Sequence, residues 1–539
     1  MIRPPFSPAS PPLALRQWIL AACLALASFG TILNAQEPAS FYIREYRVDG
    51  AQRLKKLEVE EAVYPFLGPG RNAGDVEKAR SALEKAYRDK GFQTVSVLIP
   101  QQDPRRGVIK LEVVEGKVGR LRVNGARFFL PSNIKREAPS LAEGTVPDMN
   151  RVTKDIVGLN RLADRRVTPV LVTPVLRQGV EPGTVDIDLN VEDKRPLHGS
   201  LELNNRYSSN TTDLRLDGGL SYSNLFQLGH SAGANFQVAP ENTHDALVFS
   251  GFYLARVSEN NSLMLQATKQ NSDISTLGGA AVGGRGQILG LRLLRDLPTT
   301  AQFSQSFSLG LDYKHFDENL VIGPSTISTP IESYPISASY GASWLAEHRF
   351  TEANTSLNFH LRGLGSSGQQ FSNKRYGADG SYAYLRSDIA HTHDLTGGSQ
   401  VFAKLQGQLA SQPLVNAEQL AGGGLSTVRG YLEGTALGDN GLFGTAEWRS
   451  PSLIGAPSKT GSRADEWRFH VFADAGMLDI CDALPGQRQS YSFASAGTGM
   501  RIKFKTHYNG SLDAAVPFIT QSDAHAGDLR LTFRGWADF

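Results

Sequence analysis

From Pro196 onward, apolar and polar residues alternate with a period of two. Phe307, Leu309, Leu311 and Tyr313 interleave with Ser306, Ser308, Gly310 and Asp312. Val401, Ala403, Leu405, Gly407 and Leu409 interleave with Gln400, Lys404, Gln406 and Gln408, and Phe402 alone breaks the pattern. Leu442, Gly444, Ala446 and Trp448 interleave with Thr445, Glu447 and Arg449. Successive side chains of a strand point to opposite faces, so each such segment predicts a strand with one greasy and one wet face. Clusters of Gly, Asn, Asp, Ser and Pro separate the segments and read as turns. Leu529, Leu531, Phe533, Ala537 and Phe539 repeat the alternation against Asp528, Arg530, Thr532, Arg534 and Asp538, with Trp536 the apolar exception.

Helical periodicity is confined to the front of the chain, where residues 41–192 hold a weak internal repeat. Arg47-Val48-Asp49-Gly50-Ala51 returns 75 positions later as Arg122-Val123-Asn124-Gly125-Ala126. In the first copy Val59 to Leu67 and Asp75 to Gly91 predict helices. Val76, Ala79, Leu83, Ala86 and Tyr87 form one stripe of the second, with Asp75 as its N-cap. Strands at Thr94 to Ile99 and Val108 to Glu115 follow. The second copy repeats the order, with a helix carrying Val152, Ile156 and Leu159 and strands near Val167 to Val175 and Thr184 to Val191. Each copy is a β-α-α-β-β module. The copies read either as ordinary α+β domains or as sheets with an open edge to which an extended client adds as a strand.

A polar group at every second position excludes a sheet buried on both faces, and the apolar face must meet lipid or a second sheet. Backbone groups inside a membrane must all be paired, so a lipid-facing sheet has to close. About 340 residues at about 20 per strand and connection give about 16 strands, an ordinary outer-membrane barrel. A stack of β-sandwiches or a propeller is the alternative. It does not readily account for charged lumen-parity residues together with a last strand ending in Phe, for which Trp536 and Phe539 read as a barrel-closing signal.

Composition narrows the class. Over 539 residues, 40% are hydrophobic, 20% are charged and the formal net charge is +2. With a mean hydropathy of −0.25, these values exclude a helical membrane bundle and a disordered chain. The balanced charge gives no support to nucleic-acid binding. Residues 1–35 read as a secretory signal: Arg3 and Arg16 precede or flank an apolar run from Trp18 to Phe29, and Leu33-Asn34-Ala35 offers a cleavage site. A permanent anchor helix is the rival, and Trp18 to Leu33 is short for one. The apolar run lies mostly after Cys23, which argues against a lipoprotein box. Cleavage removes Cys23 and leaves Cys481 alone, so no disulfide framework is expected.

One connection carries a distinctive string. Ser411 to Asn440 is Gly-rich through Gly422-Gly423-Gly424 and contains Val428-Arg429-Gly430-Tyr431; downstream lies Phe472-Ala473-Asp474-Ala475-Gly476. Trp467, Phe469, Val471, Ala473 and Ala475 share the lipid-facing parity, so Asp474 points inward. A guanidinium is the best partner for a confined carboxylate because it binds both oxygens in a fork. Arg429 at the tip of a folded-in loop is therefore expected to pair with Asp474, with Gly430 permitting a sharp turn.

These residues resemble the outer-membrane assembly and secretion barrels, and within them the transporters of two-partner secretion, the hemolysin secretion/activation type (TpsB family). Val428, Arg429, Gly430 and Tyr431 look like the family's loop-six motif; Phe472, Asp474 and Gly476 look like its inner-wall counterpart. The two modules resemble its periplasmic polypeptide-transport-associated (POTRA) repeats. The resemblance implies α+β periplasmic POTRA modules followed by an all-β transmembrane barrel of about 16 antiparallel strands. It divides the chain as 1–35 signal peptide, 41–118 and 119–195 modules and 196–539 barrel. It implies a cell outer membrane location and a pore that exports an unfolded exoprotein client recognised by the modules. Outer-membrane lipid and the barrel assembly machinery are the other partners, with no enzyme activity, cofactor or metal. An assembly factor for other barrels and a passive porin-like barrel are the alternatives. Family members often carry a plug helix before the first module. Only about five residues lie between the cleavage point and the first strand, so the Arg429 loop is expected to be the main obstruction of the pore.

Other candidates are bland. His391-Thr392-His393-Asp394 has two imidazoles without an evident third ligand and reads as a solvated loop. Gly278-Gly279 and Gly283-Gly284 read as a flexible loop, and Gly68-Pro69-Gly70-Arg71 as a turn lacking the Lys-Ser/Thr pair of a phosphate loop.

Overall fold

The computed structural model describes residues 40–172, 183–272, 274–275, 282–283, 285–317, 319–322, 325–455 and 465–539. The signal segment, Gly278-Gly279 and Gly284 lie outside the described residues. The chain divides into two compact units: Met1–Arg122 with Ala138–Ile156 and Pro169–Leu189, and Val123–Glu137 with Val157–Thr168 and Asn190–Phe539.

In the first unit, Val108–Glu115 is the central strand of a three-stranded sheet, parallel to Glu45–Asp49 and antiparallel to Val95–Leu98. Helices Lys56–Val63 and Ala73–Asp89 supply Val59, Val76, Leu83 and Tyr87 to a core shared with Val97, Ile109 and Leu111. Burial, together with the Glu115 carboxylate it donates to at 3.0 Å, pushes the Tyr87 phenol up, so it remains a donor.

Two local expectations change. The helix at Ala73–Asp89 is capped by Asn72, whose side chain accepts from the Asp75 backbone N–H while the Asp75 carboxylate accepts from the Asn72 N–H. Asp75 is thus the third residue of a capping box rather than the cap itself. Gly68–Arg71 is not a free turn but a strand paired with Phe41–Ile43, and Arg71 Nε and Nη2 both donate to the Leu67 carbonyl.

The second module follows the same β-α-α-β-β order: Lys117–Asn124, Pro131–Arg136, Met149–Leu159, Arg165–Val172 and Thr184–Asp193, the last forming the middle of its sheet. The repeated glycines have the same job in both copies. Gly50 (φ +84°) and Gly125 (φ +87°) are left-handed, and a Cβ on them would lie 2.3 Å from the Val113 carbonyl oxygen and 2.5 Å from that of Val191. Each turn is then closed by an acid at the end of the central strand. Glu115 accepts from the N–H groups of Gln52 and Arg53; Asp193 accepts from those of Arg127, Phe128 and Phe129.

Among the described residues, sixteen antiparallel strands form a closed barrel, from Leu197–Asn204 to Arg530–Asp538. One wall strand is interrupted at Tyr334-Pro335, so that Ile331–Ser333 and Ile336–Ala346 both pair with Phe303–Phe316. Leu309, Leu405, Leu442, Val471 and Leu531 stand exposed on the outer face, while Glu447, Asp474 and Asp513 are buried on the inner one. First and last strands join in register from Arg534↔Asn204 to Asp538↔Ser200. Inside this seam the Arg534 guanidinium grips both oxygens of Glu202 at 2.7 Å and its carbon lies 4.9 Å from the Trp536 ring centre. At its end Gly199 and Phe539 exchange two backbone bonds, and the Phe539 ring lies where a Cβ of residue 199 would go.

Because the turn glycines combine a left-handed backbone with a carbonyl contact, Gly50→Ala or Gly125→Ala should each destabilise its module by about 1–3 kcal/mol. Thermal unfolding of the purified protein, followed by a probe in the modules, checks this.

Candidate functional site: the buried tip of loop six

Connections alternate between the end at which Leu197 enters the barrel and the opposite end; the segment 411–439 is the sixth at the opposite end. It joins strands Gln400–Ala410 and Asn440–Arg449 and does not extend away from the wall. Leu420–Gly422 pairs with Ala436–Gly438 to make a short antiparallel stalk. Gly423 and Gly424, at φ +95° and +92°, reverse the chain where side chains could not fit. The tip beyond them is buried, with Val428 0%, Arg429 6% and Tyr431 1% exposed.

Arg429 Nε donates to Asp474 Oδ2 at 2.8 Å and Nη2 to Oδ1 at 2.9 Å, matching the plane of the guanidinium to both carboxylate oxygens. The Arg429 backbone N–H adds a third bond to Oδ2 at 3.1 Å. Nη1 donates to Glu447 Oε2 at 3.0 Å and lies 3.7 Å from Asp513 Oδ1. The guanidinium carbon stands 3.4 Å from the centre of the Phe472 ring, whose negative face attracts it. Glu447 is shared with Arg449 at 2.8 Å and Arg501 at 2.9 Å, and Asp513 meets His470 Nε2 at 2.6 Å. Three carboxylates (Glu447, Asp474, Asp513) therefore face three guanidinium groups (Arg429, Arg449, Arg501). Withdrawing the tip would leave three acids against two arginines.

The remaining motif residues shape the seat. Gly430 is left-handed at φ +92°, and a Cβ there would come within 3.3 Å of Pro517. The Tyr431 hydroxyl donates to the Ile519 carbonyl at 2.7 Å, with its ring edge-on to Phe493 at 5.1 Å. Val428 and Tyr431 share an apolar cluster with Phe443, Leu478 and Phe493. Gly476 faces Phe443 across the ladder, and a Cβ there would fall 2.1 Å from that ring. Phe472 likewise crosses Gly497, and His470 crosses Gly499. Each ring lies flat in a lumen only because its partner has no side chain.

Parity alone marked Glu447 as inward-facing, but nothing in the sequence tied it to Arg429. Other contacts of the loop gave no signal at all. Glu433 meets Arg206 at 2.8 Å; Glu418, 1% exposed, meets Lys314 at 2.7 Å and the Tyr384 hydroxyl at 2.8 Å; Asp439, 0% exposed, meets Arg375 at 3.3 Å. Arg375 follows a short helix, Gly368–Lys374, in the fifth connection, whose Phe371 packs with Leu414 and Val415 at the base of loop six. Cys481 is a free thiol beside Asn440. His391-Thr392-His393-Asp394 lies in the strand Ala383–Asp394, not in a loop, because its alternation continues the ladder with Gln400–Ala410. Among the described residues no group of three His, Cys, Asp or Glu could hold a metal.

Comparison with known proteins places the chain. The family profile "POTRA domain, ShlB-type" matches residues 41–116, and "Haemolysin secretion/activation protein ShlB/FhaC/HecB" matches residues 183–502. The outer membrane transporter CdiB of Dickeya dadantii (strain 3937) is 22% identical over 458 residues, covering 78% of this chain and 75% of the relative. CdiB of Escherichia coli is 24% identical over 505 residues, covering 90% and 80%. The heme/hemopexin transporter protein HuxB of Haemophilus influenzae (strain ATCC 51907 / DSM 11121 / KW20 / Rd) is 20% identical, covering 88% and 83%. The solved structure of CdiB from Escherichia coli aligns over 97% of both chains with TM-score 0.62 at 19% identity. BamA from Haemophilus ducreyi lacking POTRA domains 1–3 aligns over 92% and 99% with TM-score 0.56 at 14% identity. At these identities the structural matches speak for the fold alone.

A POTRA module in the periplasm, a closed sixteen-stranded barrel in the outer membrane and an inward-folded sixth loop define a class, the outer-membrane protein transporters. Within it the chain belongs to the haemolysin secretion/activation family ShlB/FhaC/HecB, the transporters of two-partner secretion. It is not an enzyme; it works with a secreted exoprotein partner.

Exchanging the charged partners, Arg429→Asp with Asp474→Arg, should not restore the wild-type seat, because a carboxylate at 429 would face Glu447 and Asp513. The double variant should remain destabilised by about 3–5 kcal/mol, the range for a broken buried pair. The unfolding temperature of the detergent-solubilised barrel measures it; wild-type stability would show that the pair alone matters.

Proposed function

We propose that the Arg429–Asp474 pair is a latch holding loop six inside the lumen, and that its release opens the path along which the client leaves. The carrying observation is the burial of a permanently charged guanidinium at a loop tip, with two bonds from the guanidinium and one from the Arg429 backbone N–H to one wall carboxylate. A loop needed only as a surface connection has no reason to carry that charge inward. Val428, Gly430 and Tyr431 position the tip, and Phe472, Asp474 and Gly476 form the wall it rests on. With no nucleotide or metal chemistry invoked, the client's folding outside the cell supplies the driving free energy.

In this reading residues 41–118 and 119–195 act as two receiving modules and residues 196–539 as the barrel. The client enters unfolded and adds as a strand to a module edge. Val95–Leu98 is an edge of the first sheet, with Leu98 and Ile99 exposed beside it. Glu84 accepts the Val97 N–H at 3.1 Å, so an incoming strand displaces this carboxylate, which Arg80 and Arg88 then retain. Outer-membrane lipid surrounds the barrel. Trp536 and Phe539 present the closing strand to the assembly machinery that inserts it.

Arg429→Ala should unseat the tip, so that resting ion conductance of the reconstituted barrel rises at least about tenfold while the amount of folded barrel in the outer membrane stays near wild type, a shift of the size expected for one lost buried charge pair. Single-channel conductance, together with heat-modifiable mobility of the barrel, reads both. Wild-type conductance would remove the latch. If the barrel itself failed to accumulate, Arg429→Lys, which keeps the charge and loses the fork, carries the same test.

A further inference from the structure

The outer face of a barrel strand should be apolar, yet two imidazoles and a guanidinium share that face at one end of the wall. Leu385, Ile389, Val401 and Leu405 are exposed to lipid, and His391, His393 and Ala403 share their parity. Directly across the ladder, Arg349 pairs with His393 and Thr351 with His391. The two rings stack at 6.2 Å and 23°. Thr351 Oγ1 lies 2.7 Å from His391 Nδ1; with the hydroxyl as donor, the ring offers an N–H at Nε2 to a further acceptor. Among the described residues no carboxylate forms an ion pair with Arg349, His391 or His393. Trp344 stands opposite Thr351, and Trp448 opposite Val401, itself opposite His393. Tryptophan at this height marks the level of lipid head groups.

A groove begins two residues further along the same strands. Its volume is about 560 Å³, and Ala353, Thr355, Ser387, Ile389, Leu405 and Gly407 line it. All six carry the lipid-facing parity. Small side chains at 353 and 407 make the depression, and the Thr355 and Ser387 hydroxyls satisfy one another at 2.6 Å, so its floor needs no water. Ala353 pairs with Ile389, two residues along the strands from Thr351 and His391, which puts the mouth of the groove about 7 Å from that pair.

We propose that this is a binding site for an anionic phospholipid of the periplasmic leaflet. The phosphodiester lies against Arg349, His391 and His393, and one acyl chain fills the groove above them. The strand direction supports the leaflet: Ala383–Asp394 runs toward the end at which Leu197 enters, and His391 and His393 lie at its far end. The lipid would brace the wall strand Gln400–Ala410, whose inward Gln406 and Gln408 hold loop six through Ser426 and Glu418. The proposal rests on the outward face meeting lipid. It adds which lipid that face selects and where.

The test uses the full mature chain in mixed micelles containing dioleoyl-phosphatidylglycerol and dioleoyl-phosphatidylcholine, with bound lipid counted by native mass spectrometry. Wild type should retain phosphatidylglycerol over phosphatidylcholine by roughly fivefold or more, the effect of one interfacial cation. Arg349→Ala with His391→Ala and His393→Ala should bring that ratio to about one. Ala353→Leu, which fills the groove without touching a charge, should lower retention of both lipids. Arg295→Ala, an outward cation elsewhere on the barrel's rim, should change neither. The proposal fails if the triple variant keeps the wild-type ratio, if Arg295→Ala erases it equally, or if Ala353→Leu leaves lipid retention unchanged. Loss of all lipid by wild type would instead refute the lipid-facing assignment of this wall.

Discussion

A guanidinium cannot shed its charge inside a protein, so burying one obliges the surroundings to answer it in full. Much of the barrel's inner architecture follows from that obligation at Arg429. Asp474 takes two of its nitrogens and the backbone N–H, Glu447 takes the third, and Phe472 presents a ring face beneath. Glu447 in turn requires Arg449 and Arg501, and Asp513 requires His470. The requirement thus spreads over four neighbouring wall strands, and the loop can be accommodated only where all four are in register.

Room for that arrangement comes from absent side chains. Phe443, Phe472 and His470 each lie across a glycine on the adjacent strand. With any larger residue the rings would stand up into the lumen and occupy the place of the tip. Charge and shape are therefore coupled through the ladder: the motif pairs a residue that binds, Asp474, with one that leaves space, Gly476, two positions further on.

The barrel was legible because lipid and water sort side chains with the period of the pleat, a signal that survives without tertiary information. Even its irregularity has a cause, since Phe402 turns inward to lie 4.6 Å from the Arg449 guanidinium carbon. Asp474 and Arg429 could be put together on similar grounds, from parity and the need of a confined carboxylate for a forked partner. The misreadings were local. Gly68–Arg71 has turn composition, yet Phe41–Ile43 supplies it with a partner strand. The histidines at 391 and 393 looked solvated because polar residues on a lipid face resemble a loop when the interfacial level is unknown. The pairs Glu433–Arg206 and Glu418–Lys314 join residues 227 and 104 positions apart, and only closure of the barrel brings them within reach.

The even match of acids and bases around the tip has an electrical consequence. With the tip seated, the guanidinium of Arg429 offsets the carboxylates around it. Once the tip has left, the same stretch has one positive charge fewer. Current through an emptied tube would then be biased toward cations, and lysines or arginines on a threading polypeptide would find a transient resting place where the departed arginine had been.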